Sequence, residues 1–166
     1  MTPRLGPAGI ARQLALPGTG DGTDRARILL VRRGRLALIE RVRAGERYWV
    51  VPGGGVEAGE TLAVAARREA AEELGLPVTL GPLRIVAHVP AADGWQRQWC
   101  FEASADSDEI AVTAGPELHR SPADGTHRAV WLGLDDLAGR PVWPEPAVRA
   151  LLAHQGGWPA AVIEDP

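Results

Sequence analysis

The hydrophobic positions come first in short β-like runs and then at helical spacing. Residues 25 to 31 (RARILLV) and 35 to 42 (RLALIERV) predict two strands around Arg32-Arg33-Gly34, a hairpin signal with a short Gly-containing turn. Ala44, Gly45 and Glu46 turn the chain again, and residues 48 to 51 (YWVV) predict a third strand. Gly53, Gly54 and Gly55 follow and predict a flexible loop rather than an element. The period then changes. Residues 61 to 74 contain no Gly or Pro and are mostly Ala, Leu, Glu and Arg, all strong helix formers. Thr61 suits the N-cap because its hydroxyl accepts from a free backbone N–H. Gly75 and Pro77 read as the stop.

Beyond the helix, residues 78 to 89 predict a long extended run interrupted by Gly81-Pro82 and closed by Pro90. Asp93-Gly94 turns the chain, and residues 95 to 103 return as a strand, giving a second hairpin. Residues 113 to 126 read as a long polar loop, a length that often carries function. A strand at 128 to 132, a short helix at 134 to 138 and a last helix at 145 to 154 complete the pattern. Pro146 is tolerated in the first turn of that helix. Residues 1 to 24 read as a flexible N-terminal arm, within which residues 10 to 16 suit a short edge strand. Residues 25 to 155 read as one domain and 156 to 166 as a tail. Strands packed between a central and a C-terminal helix give an α+β fold, an α/β/α sandwich with a mixed central sheet.

Composition narrows the function. The chain has 166 residues, 45% hydrophobic and 23% charged, as in an ordinary globular domain. The net charge of −3 gives no basic surface for nucleic acid or membrane. All 18 basic residues are Arg, and Asn is absent too; we read this as coding bias. The single Cys100 excludes an intrachain disulfide and a multi-thiolate metal site; within a strand it reads as a buried, inert thiol. No apolar run spans a bilayer and no secretory signal is evident, so a cytoplasmic protein is expected.

The chemistry centres on the helix. At 100° per residue, Ala63, Ala66, Ala70 and Leu74 fall on one arc and face a core. Glu69, Glu72 and Glu73 fall on the adjacent arc. Three carboxylates on one face repel each other. Arg68, four residues before Glu72, relieves part of this. A divalent cation would relieve more, since Mg²⁺ takes oxygen ligands. An E-x-x-E-E face alone is usually only a solvated one. The Gly triplet, Glu60 and the Arg68-Glu69 pair at set distances make the difference.

Residues 52 to 76 (PGGGVEAGETLAVAARREAAEELGL) resemble the Nudix box, the signature of the Nudix (MutT-type) pyrophosphohydrolases. Gly54, Glu60, Arg68, Glu69, Ala70, Glu72, Glu73, Gly75 and Leu76 fill its fixed positions. Ala70 is smaller than the aliphatic residue usual there. The resemblance implies a Nudix fold and a Mg²⁺- or Mn²⁺-dependent hydrolase of a nucleoside diphosphate linked to another moiety. The narrower expectation is a nucleoside triphosphate split to monophosphate and pyrophosphate. It implies Glu69, Glu72, Glu73 and the Gly53 carbonyl as metal ligands. Gly54 and Gly55 would give the diphosphate room, and Arg68 would orient the carboxylates. Glu60 would brace the loop.

The general base is Glu69 or, as in family members that use a distal loop, Glu117. His88, His119 and His127 read as structural or surface residues. Arg41, Arg43 and Arg47 meet phosphates or face water. Trp49, Trp95, Trp99 and Trp143 are available as a base-reading wall. Trp143-Pro144-Glu145 resembles the Trp-Pro-Asp stretch by which some oxidised-purine triphosphatases hold the base, the alternative being a Trp packed in the core. The partner is a small nucleotide, and the protein a monomer or homodimer. Two rivals remain: an ADP-ribose or sugar-nucleotide pyrophosphatase with a dimer-swapped N-terminal strand, and a non-catalytic nucleotide-binding domain.

Overall fold

In a computed structural model, residues 6–110 and 125–166 are described. Strands β1 (Asp24–Arg32) and β2 (Arg35–Arg43) form the first hairpin. Arg33 and Gly34 turn it with φ of 51° and 70°, the paired positive values of a two-residue hairpin turn. Ala44 and Gly45 repeat the device, with φ of 51° and 79°, before β3 (Glu46–Val50). Next come β4 (Gly53–Gly55), helix α2 (Leu62–Leu74), and the hairpin β5 (Thr79–Ala91) and β6 (Gly94–Ser104). Register shifts at Leu80, Leu83 and Ile85 let β5 absorb Gly81-Pro82 without ending. Strand β7 (Thr126–Gly133), a 3₁₀ turn at Leu134–Asp136, β8 (Val142–Trp143), α3 (Glu145–Ala153) and β9 (Ile163–Asp165) follow.

The strand order is β8-β3-β2-β1-β6-β5-β9, with β4 also on β1 and β7 also on β2. Pairs β1–β6, β3–β8 and β5–β9 are parallel and the others antiparallel, so the sheet is mixed. Helix α2 covers one face, burying Leu62, Ala63, Ala65, Ala66, Ala70 and Leu74 against Ile28, Leu30, Ile39, Val86 and Phe101. Its Ala-rich stripe brings the helix close to the strands, which positions the acids beside it. Helix α3 covers the other face through Ala147, Val148 and Leu151, against Leu29, Leu38, Trp49, Val51 and Cys100. The expected α/β/α sandwich is present. Cys100 is buried, and burial pushes its thiol up to about 12, as an inert thiol requires.

Three local expectations are corrected. Residues 10 to 16 are not an edge strand: Pro7–Leu14 is a helix, α1, started by a Pro whose fixed φ suits the first turn. It docks on its own chain, the Leu83 amide donating to Gln13 Oε1 at 2.8 Å. The tail contains β9, which pairs with Ile85–Ala87 of β5. The Gly triplet is not a free loop but strand β4, held on Arg25–Arg27 of β1.

Candidate active site

Two elements meet at the site, the Gly strand β4 and the acidic face of α2. The helix starts where Thr61 Oγ1 accepts from the Val64 amide at 3.2 Å and ends at Gly75 in the left-handed conformation. That fixes which way Arg68, Glu69, Glu72 and Glu73 point. Strand β4 is glycine for a steric reason. A Cβ on Gly53 would lie 2.2 Å from the Ala26 carbonyl oxygen and 2.7 Å from Arg27 Cα, and its φ is +145°. A Cβ on Gly54 would lie 2.4 Å from Glu69 Oε1. The backbone is laid between β1 and the carboxylates with no room for a side chain.

Arg68 ties the two elements together. Its Nε and Nη2 donate to the two Glu60 oxygens at 2.8 and 3.0 Å. Nη1 donates to Glu69 Oε1 at 2.8 Å, and Nη2 also to the Gly55 carbonyl at 2.9 Å. Glu72 Oε2 stands 3.6 Å from Nη1. Glu60 in turn accepts from the Glu57 amide at 2.9 Å, which pins the turn before the helix. The hydrogen bonds from Arg68, then the Glu57 amide, hold the Glu60 carboxyl low against its burial. The Glu60 bond likewise raises the Arg68 guanidinium. We expect Arg68→Met to cost about 2 kcal/mol, because partly buried carboxylates lose a forked partner, and to lower turnover as well. Arg68→Lys should recover little of either. Denaturant melts and turnover read both; a Lys variant matching wild type would contradict the fork.

Glu73 sits deepest. It accepts from the Gly53 amide at 2.8 Å. Burial pushes its carboxyl up to about 7; the Gly53 bond and the charges of Arg27 and Arg41 oppose the rise, and Glu69 adds to it. Arg41 lies on β2 opposite Tyr48, with His127 of β7 on its other side. Its buried Nε has no hydrogen-bond partner among the described residues. Arg43 and Arg47 are exposed.

The family model of the NUDIX domain matches residues 21–152. The chain belongs to the Nudix family. Over 110 residues it is 30% identical to an 8-oxo-(d)GTP phosphatase of Mycolicibacterium smegmatis, covering 66% of this chain and 30% of that protein. It is 41% identical over 102 residues to an RNA pyrophosphohydrolase of Caulobacter vibrioides, covering 51% of this chain and 59% of that one. The chain thus spans less than two thirds of both relatives. The crystal structure of a MutT NUDIX hydrolase from Burkholderia pseudomallei superposes with a TM-score of 0.54 at 30% identity, covering 79% of this chain and 95% of that one.

Among the remaining candidate residues of this Nudix domain, Trp143 is not packed away in the core; it is 40% exposed. It lines a cavity of about 400 Å³ with Tyr48, Arg140, Pro141, Val142 and Glu145. Its carbonyl accepts from the Val51 amide at 2.8 Å, which places it one strand from the chain entering β4. Glu145 pairs with Arg149 at 2.6 Å. Trp99 instead donates to buried Asp24 at 2.8 Å, and His88 contacts the Asp165 carbonyl at 3.3 Å. Glu117 and His119 lie outside the described residues. The sequence reading passed over Arg27 and Gln98, both buried beneath the Gly strand. The available signal was a charged residue at a core position of a central strand.

Proposed function

We propose that this Nudix protein is a hydrolase of phosphoanhydride bonds that depends on Mg²⁺ or Mn²⁺. Its proposed substrate is a nucleoside triphosphate, split by water to monophosphate and pyrophosphate. The observation that carries this reading is the Gly53-Gly54 backbone laid against the carboxylates of Glu69 and Glu73. Such an arrangement sets hard oxygen donors beside a backbone that a diphosphate can approach. The names of the two relatives, a phosphatase of 8-oxo-(d)GTP and a pyrophosphohydrolase of RNA, agree with the reaction class.

A divalent ion fits the donor set. Glu69, Glu72, Glu73 and the Gly53 carbonyl offer only hard oxygens, and the Glu73 carboxyl, raised by its burial, would regain its charge beside a cation. Among the described residues no three acidic, His or Cys side chains close into a ready cage. Mg²⁺ completes its shell with water and substrate phosphate oxygens, so the protein need not supply a closed cage. Held there, a divalent ion would supply charge neutralisation of the diphosphate and a lowered pKa for water. Arg68 orients Glu69 and the Gly55 carbonyl. Arg41, whose charge acts on Glu73, supplies a cation for the phosphates, and the exposed Trp143 a face for a base. Glu69 or Glu117 takes the proton from water. Glu117→Gln separates these two: a fall of about a hundredfold in kcat assigns the base to Glu117, and a change under about threefold returns it to Glu69.

The rival with a swapped N-terminal strand finds no support at Pro7–Leu14, a helix packed on its own β5. The substrate is tested by phosphate release, coupled through pyrophosphatase or phosphatase, over a panel with Mg²⁺ or Mn²⁺. The panel holds normal and oxidised triphosphates, ADP-ribose, sugar nucleotides and dinucleoside polyphosphates. Preference for a triphosphate upholds the proposal. Preference for ADP-ribose or a sugar nucleotide replaces it, and binding without turnover on any of them makes the domain a non-catalytic one.

A further inference from the structure

Beneath β4 lies a buried polar line that the reaction, as described, does not use. Arg27 is 8% exposed and Gln98 fully buried. Arg27 Nε donates to Gln98 Oε1 at 2.6 Å, and Nη1 to the Val51 carbonyl at 2.7 Å. Gln98 Nε2 donates onward to Gln96 Oε1 at 3.3 Å. Neighbouring positions on the same face are Leu29, Val51 and Cys100. Burying a guanidinium there is expensive, and an apolar side chain would fill the space at less cost. The charge therefore calls for a reason beyond packing.

Its contacts supply one. The Val51 amide donates to the Trp143 carbonyl and the Pro52 carbonyl accepts from Ile28 at 3.0 Å. The Val51 carbonyl is the remaining backbone group before Gly53, and Arg27 holds it. The stem of Arg27 also floors the next residue, since a Cβ on Gly53 would lie 2.8 Å from Arg27 Cγ. Gly53 then presents its amide to Glu73. The order of contact runs from Gln98 to Arg27, to the turn Val51-Pro52-Gly53, to the carboxylate.

We propose that Arg27, anchored by Gln98, is a positioning residue that fixes the Val51-Pro52-Gly53 turn against Glu73. It touches neither substrate nor metal and acts through the backbone it holds. The proposal rests on the hydrolase reading for its effect on turnover, and on geometry alone for its effect on the turn. Misplacing a reacting group by about 1 Å costs up to a hundredfold.

Two variants test it. Arg27→Met removes the donor. Gln98→Leu leaves the guanidinium but removes its anchor, and keeps the test open if Arg27→Met does not fold. Amide hydrogen exchange of the nucleotide- and metal-free protein is followed in peptides spanning 51 to 57, beside peptides from α2 and β5. Steady-state kinetics with Mg²⁺ accompany it. We expect exchange in 51 to 57 to quicken by about tenfold in Arg27→Met and less in Gln98→Leu, with α2 and β5 near wild type. We expect kcat to fall by about tenfold or more with the nucleotide KM within about threefold. Unchanged exchange in 51 to 57, or exchange quickened equally everywhere, overturns the proposal. So does a kcat within about twofold of wild type. A wild-type protein without metal-dependent hydrolysis would overturn the hydrolase reading instead, and the exchange result would still decide the role of Arg27 in the turn.

Discussion

Glu73→Gln is expected to lower kcat/KM by about a hundredfold or more and, in the same protein, to raise stability at pH 8 without metal. The first effect follows from removing a charged oxygen donor from the site. The second follows from where the proton sits. Burial raises the Glu73 carboxyl from its ordinary 4.5 to about 7. Between those values the folded protein keeps the proton while the unfolded chain releases it, so folding stability falls as pH rises through that window. Above pH 7 the full penalty applies. At about 1.4 kcal/mol per pKa unit, and allowing for water reaching part of the group, it amounts to about 2 kcal/mol. Gln carries no charge at either pH. The stability gain of Glu73→Gln over wild type should be near zero at pH 4 and about 2 kcal/mol at pH 8, in chelator. Denaturant melts at the two pH values measure it, and equal gains at both would contradict a carboxylate desolvated at this place.

Gly53→Ala and Gly54→Ala should part company, although the residues are adjacent. At Gly53 a Cβ collides with the backbone of Ala26 and Arg27, at a φ of +145°. Neither can give without breaking the β1–β4 pairing, so we expect a loss of about 3 kcal/mol or more. At Gly54 the three nearest atoms belong to the Glu69 carboxylate, the far end of a flexible side chain. That group can swing away. Gly54→Ala should therefore stay within about 1 kcal/mol of wild type in stability while turnover drops by about tenfold or more. Melting and kinetics on both variants are sufficient. A stable, fully active Gly54→Ala would mean that Glu69 does not need its present position.

The sequence was most legible where interactions are local. The N-cap at Thr61, the stop at Gly75 and the buried Ala stripe are properties of one helix and its own spacing. The two-residue turns at Arg33-Gly34 and Ala44-Gly45 are equally local. Legibility failed where a partner comes from far along the chain. The Gly triplet reads as a loop until β1 is seen beside it. Residues 163 to 165 carry no strand signal of their own strength, and pair only because β5 offers an edge. Helix α1 contains Gly9, which weakens any helical reading; its docking through Gln13 onto Leu83 is a contact made 70 positions away. On α2, helical spacing put Glu69, Glu72 and Glu73 on one arc with Arg68 one turn before Glu72. Arg27 and Gln98, 71 positions apart, acquire meaning only when the sheet brings them under Gly53. Arg27 shares its face of β1 with charged Arg25 as well as Leu29, so alternation alone does not mark it as buried.

We propose that the carboxylate face of α2 and the Gly strand form one metal-dependent hydrolytic site. The most direct test is a Mg²⁺ titration of chelator-treated wild-type protein, Glu72→Gln and Glu73→Gln, with a nucleoside triphosphate and chromatographic identification of products. Wild type should show no turnover before Mg²⁺, then monophosphate and pyrophosphate in equal amounts. Both variants should remain folded and lose about a hundredfold or more at saturating Mg²⁺. Metal-independent hydrolysis, or near-normal turnover in either folded variant, would contradict it.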